Sequence, residues 1–153
     1  MYTSQESSRL KQSFWATFGQ YMAPLSSAEG IKVNWVNYKT GISTITFKMD
    51  ADNNTATISI LLSHSDEGIQ QLYFEQFLQL RRILEGTLQE EWTWQKPAMN
   101  EYGKPASRIY KQLADVNIHK KEDWPALISF FKQRLVLMDE FWSTAKYAFE
   151  SLG

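Results

Sequence analysis

Residues 66–95 read DEGIQQLYFEQFLQLRRILEGTLQEEWTWQ, and two different periods follow one another inside them. From Ile69 the apolar positions Leu72, Tyr73, Phe77, Leu80 and Leu84 recur at steps of three and four, the single stripe of an amphipathic helix. Ser65 or Asp66 can cap its first amides, and Gly86 marks its end, where a residue with positive φ commonly sits. The period then shortens to two in Glu91-Trp92-Thr93-Trp94-Gln95, which reads as a strand. The helix stripe needs a sheet to lie on, and the flanking sequence supplies one.

Before it, Ile31-Lys32-Val33-Asn34-Trp35, Ser43 to Met49 and Thr55 to Leu62 alternate apolar with polar residues, joined by short runs rich in Asp, Asn, Gly and Thr. That pattern predicts a three-stranded antiparallel meander with one covered face. A first helix is expected from Thr3 or Ser4, where Thr3 and Glu6 have capping-box spacing, to Pro24. After Gln95 a Pro- and Gly-containing loop leads to a strand near Ser107–Leu113, and a last helix opens at Asp123 with Pro125 in its first turn. The expectation is one α+β domain over residues 1–153, in the order α-βββ-α-ββ-α, with an antiparallel sheet covered by helices on one face.

Composition narrows the classes. The chain has 153 residues and no cysteine, so disulfides and thiolate metal sites are excluded. The N-terminus lacks the basic and apolar regions of a signal peptide, and no apolar run approaches the ~20 residues of a spanning helix. A soluble, cytoplasmic protein with no membrane partner is expected. The formal net charge of −1 gives no global pull toward nucleic acid. Locally, residues 50–91 carry eight acids against Arg81 and Arg82, while residues 92–121 carry six bases against Glu101 and Asp115.

The motifs of catalysis are sparse. Asp50 and Asp52 end a strand, but no Glu-x-Lys follows to complete a metal-dependent nuclease site, and Glu101-Tyr102-Gly103-Lys104 reads as a loop. His64 and His119 read as surface side chains. There is no Gly-x-Ser-x-Gly elbow or Gly-rich phosphate loop. No catalytic residue, cofactor or metal is expected. Trp92 and Trp94, two apart on a strand, leave the same face. On the helix-covered face they are core; on the open face they form a stacking surface for bases with Lys96, Lys104, Arg108, Tyr110 and Lys111. Arg82 is placed to pair with Glu75 or Glu85 on the helix surface.

Several of these residues fall into a pattern. Phe14-Trp15 on the first helix, Leu78 and Arg82 with Glu85 on the central one, Leu88, Trp92 and Trp94 leading into a strand, Arg108-Ile109 in the next, and Trp124 opening the last helix resemble the uncharacterised bacterial domain family DUF4268 over nearly the whole chain. Members of that family look like stand-alone proteins or the C-terminal part of longer chains preceded by a nuclease-like segment. The chain reads as a stand-alone member, since it begins at its own methionine without such a segment. The resemblance implies association with DNA-processing systems and no catalytic residues.

The expected function is that of a non-enzymatic interaction or accessory domain acting through protein contacts. Phe130, Leu137 and Phe149 fall off the main stripe of the last helix, and this apolar surplus suggests a protein partner or a homodimer there. The rival reading is a nucleic-acid-associated module that uses the basic-aromatic hairpin of residues 92–121.

Overall fold

The computed structural model describes residues 2–99 and 103–152. Chain direction reverses at Asp52-Asn53-Asn54, where the Asp52 carboxylate accepts the amides of Asn54 and Thr55, both at 2.8 Å. These two donors hold the carboxyl below the usual aspartate range. The turn joins β1 (Ile45–Ala51) to β2 (Thr55–Leu62). A second antiparallel hairpin, β3 (Thr93–Met99) and β4 (Pro105–Ala114), docks through β4 on β2, giving the strand order β1-β2-β4-β3.

Register sorts the side chains of this sheet into two populations. Phe47, Ile60, Ile109 and Trp94 lie in one cross-strand row of the inner face, where Phe47, Ile60 and Ile109 are buried and Trp94 packs against the core. Thr46, Leu61, Arg108 and Gln95 form the adjacent row on the outer face, as do Lys48, Ser59, Tyr110 and Thr93 beyond it. No outer-row residue joins the hydrophobic core. The architecture is therefore the expected α+β sheet with helices on one side.

The helices covering the inner face are α1 (Ser4–Met22), α2 (Glu67–Gln79), α3 (Arg81–Leu88) and α4 (Trp124–Ala145). The Thr3–Glu6 capping box is present, with both reciprocal bonds made. Asp66 caps α2 by accepting from Gly68 and Ile69. Beneath the helices, Phe77 stacks on Trp142 and lies 4.5 Å from the Phe149 ring, while Phe14, Phe18 and Phe131 make a second aromatic cluster. Phe130 and Phe149 are buried and Leu137 packs against the core, so the apolar surplus of the last helix is absorbed within the chain.

Three details differ from the expectation. The run Ile31–Trp35 is not a strand of the sheet; residues near it form one isolated bridge, Ser26 to Lys32, and the meander reduces to a hairpin. Its alternation reflects burial of Trp35, whose indole N–H donates to the Leu25 carbonyl at 3.0 Å, and partial burial of Val33 against the core, whereas Ile31 stays 57% exposed. The long central helix breaks at Leu80, whose amide is shared between the Gln76 and Phe77 carbonyls and whose backbone (φ −96°, ψ 8°) leaves the helical region. The second segment runs past Gly86 and ends at Gln89, which takes the left-handed conformation (φ 58°) itself.

Residues 24–44 wrap the C-terminal half of α4. Asp139, 4% exposed, accepts from the Tyr38 hydroxyl (2.5 Å) and the Ala28 amide (2.7 Å). The Trp142 indole donates to the Thr40 carbonyl at 2.7 Å, and Lys146 pairs with Glu29 at 2.7 Å. Among the described residues no helix is long and apolar enough to cross a membrane.

Candidate functional site

The seven residues of the expected basic-aromatic surface do not come together, and strand parity is the reason. In β3 and β4, Thr93 pairs with Tyr110, Trp94 with Ile109 and Gln95 with Arg108. Trp94 therefore shares the inner face with Ile109, while Arg108 and Tyr110 point outward.

Trp92 is 4% exposed, and its indole N–H donates to Glu90 Oε2 at 2.8 Å. Glu90 is in turn held by Arg134 through two bonds of 2.9 and 3.0 Å, and the Arg134 guanidinium lies 4.4 Å from the Phe130 ring. Trp94 is half-buried, edge-on to Phe74, with the Arg81 guanidinium 5.1 Å from its ring. Neither indole offers a free face to a base, so both belong to the core reading. Lys111 sits on the inner-face register and reaches the Glu91 carbonyl at 3.4 Å. Lys96 and Lys104 are exposed on the β3–β4 hairpin. Arg81, and not Arg82, makes the helical ion pair, with Glu85 at 3.2 Å.

What remains on the outer face is a compact array. The Arg108 guanidinium lies over the Tyr110 ring, 4.0 Å from its centroid, and its Nε donates to Gln95 Oε1 at 2.7 Å. One of its five N–H groups, that on Nε, is thereby committed to the neighbouring strand while the guanidinium plane rests on the ring, and the terminal amino groups have no hydrogen-bond partner among the described residues. A planar fork pre-set in this way suits a carboxylate or a phosphate, which it can meet bidentately. Gln95 was not singled out from the sequence. Its face was legible, since Gln95 points outward once Trp94 is assigned to the core, but its pairing with Arg108 depends on the strand register.

Elsewhere the polar chemistry is structural. The buried Gln70 accepts from Ser107 Oγ at 2.8 Å and donates to the carbonyls of His64 and Pro105, tying α2 to the start of β4. His64 accepts the Asp66 amide through Nδ1 at 3.0 Å. Among the described residues no group of three or more His, Cys, Asp or Glu could hold a metal ion.

The molecule is thus an α+β domain with one antiparallel sheet, helices on its inner face and a polar outer face centred on β4. It belongs to the family described as a domain of unknown function, DUF4268, whose model matches residues 10–146. No curated protein and no solved structure matches the chain.

Proposed function

We propose that the domain is an interaction module that engages a protein partner through the outer face of its sheet, with Arg108 as the anchor. The observation that carries this reading is the Arg108 clamp: a guanidinium packed at 4.0 Å on Tyr110 and tied at 2.7 Å to Gln95, on a strand with neighbours on both sides. Arginine and tyrosine are the side chains that most often dominate interface energy, because a rigid aromatic and a pre-set fork lose little entropy on binding. The matching group on the partner is an aspartate or glutamate. The test is affinity capture with the wild-type chain and with Arg108→Ala and Tyr110→Ala. One partner retained by the wild type and lost with both folded variants supports the reading, and a partner retained by both variants removes this face from it.

The same fork supports a second reading, a nucleic-acid-associated role in a DNA-processing system, because a phosphate meets it as a carboxylate does. Fluorescence anisotropy with single-stranded and duplex oligonucleotides at ~50 and ~200 mM salt separates the two. Binding that weakens steeply with salt and disappears in Arg108→Ala favours nucleic acid; no binding at the lower salt leaves the protein partner.

A further inference from the structure

The connection from β4 to α4, residues 115–123, is held rigidly although it has little regular structure. Ile118 is fully buried, its amide donates to the Asp52 carbonyl at 3.1 Å, and its carbonyl receives the Trp124 indole at 2.7 Å. The Asn117 amide donates to Asp123 Oδ2 at 2.9 Å. Between these anchors stands His119, expected from the sequence as a surface side chain and found half-buried against α1. Tyr2 stacks on its imidazole, 5.0 Å between centroids, and the Tyr2 hydroxyl donates to the His119 carbonyl at 3.3 Å.

The hydrogen bonds around His119 fix its tautomer. The His119 amide donates to Asn117 Oδ1 at 2.9 Å, which identifies that atom as the side-chain oxygen, an acceptor only. The same oxygen lies 3.0 Å from His119 Nδ1, so in the neutral imidazole Nδ1 carries the proton and Nε2 keeps its lone pair. Ser7 Oγ lies 2.6 Å from Nε2 and must be the donor. An amide oxygen, an imidazole and a hydroxyl are thus aligned as orienter, base and nucleophile. Ser7 also sits in the first turn of the 19-residue α1, where the positive end of the helix dipole favours developing negative charge.

We propose that Ser7 is a base-activated nucleophile toward carboxylic esters, with His119 as general base and Asn117 as its positioning residue, an activity additional to binding on the sheet face. Ser7 Oγ attacks the carbonyl carbon as its proton passes to His119 Nε2. The carbon–oxygen bond to the alcohol then breaks, and the alcohol leaves with that proton, giving acyl-Ser7. Water, deprotonated by the same nitrogen, releases the carboxylic acid and restores the serine. The sum is ester plus water to acid plus alcohol.

The test uses the whole chain and an alkyl fluorophosphonate probe, with the labelled position read by peptide mass spectrometry. A single adduct on Ser7 is expected, with the neighbouring Ser8→Ala labelled as wild type, Ser7→Ala unlabelled, and His119→Gln slowed by roughly 100-fold or more, the usual share of a general base. Asn117→Ala should slow labelling while Asn117→Asp restores it, because a side-chain oxygen at that position again accepts from Nδ1 and holds the ring. Circular dichroism establishes that each variant is folded. No adduct on Ser7 in the wild type, or equal labelling of wild type and folded His119→Gln, overturns the proposal.

Discussion

At Asp139 a carboxylate stands 4% exposed between a phenol and an amide. Removing one partner of a buried acceptor costs about 1–3 kcal/mol, so Tyr38→Phe is expected to lower stability by that amount, measured by urea unfolding. Burial, then the hydrogen bond to Asp139, then the charges of Asp139 and Glu29 push the Tyr38 hydroxyl well above the usual tyrosine value. A raised folded value means the contribution is complete below the unfolded value, about 10, and declines as pH rises beyond it. Wild type should therefore lose stability in alkali more steeply than Tyr38→Phe, which urea midpoints at pH 7 and 11 would read. At Asp52 the sign is opposite. Its carboxyl is held low by the Asn54 and Thr55 amides, so its contribution is complete above the unfolded value and is lost as pH falls through the folded one. Asp52→Ala should lower the urea midpoint at neutral pH and flatten its decline in acid. In the core, Phe77→Ala removes a fully buried ring that touches Trp142 and Phe149, and about 3–5 kcal/mol is expected from the same measurement.

Among the elements, the helices were the most legible in the sequence, because capping residues and the 3.6 period act locally. Thr3 with Glu6, Asp66, and Pro125 after Asp123 each mark a start that the structure has. The false strand at Ile31–Trp35 and the break at Leu80 were not legible. The first depends on whether a neighbouring strand is available, and the second on how α3 must turn to reach α4, so neither is written in the local period. Gly86, a residue type that favours helix ends, lies inside α3 with open space where a Cβ would stand. Gly86→Ala should therefore raise stability by about 0.5–1 kcal/mol, checked by thermal or urea unfolding. Gln89, at φ 58°, occupies the position that glycine favours, and Gln89→Gly should be tolerated without loss.

Over the whole molecule, the basic stretch of residues 92–121 was visible in the sequence but its division was not. A one-residue step along a strand reverses the face, so the side chains of Trp94 and Arg108 separate although their backbones lie in adjacent registers. The division makes binding and folding separable by mutation. Arg108→Ala should lower the unfolding free energy in urea by only about 0.5–1.5 kcal/mol, the worth of its bond to Gln95, while abolishing the partner binding proposed for this face. Trp92→Ala should do the reverse, destabilising by about 3–5 kcal/mol through loss of a buried ring and its bond to Glu90.

The bonds from Ala28, Tyr38 and Trp142 across residues 24–44 each span more than one hundred positions of sequence, with separations of 111, 101 and 102. A ribosome adding roughly 5–20 residues per second therefore finishes α1 and the following segment many seconds before their docking site on α4 exists. During that interval Tyr38 can reach Phe47 but not the Asp139 carboxylate that receives its hydroxyl. Within this domain the segment between α1 and β1 is made well before α4, and α4 is the helix that closes over it.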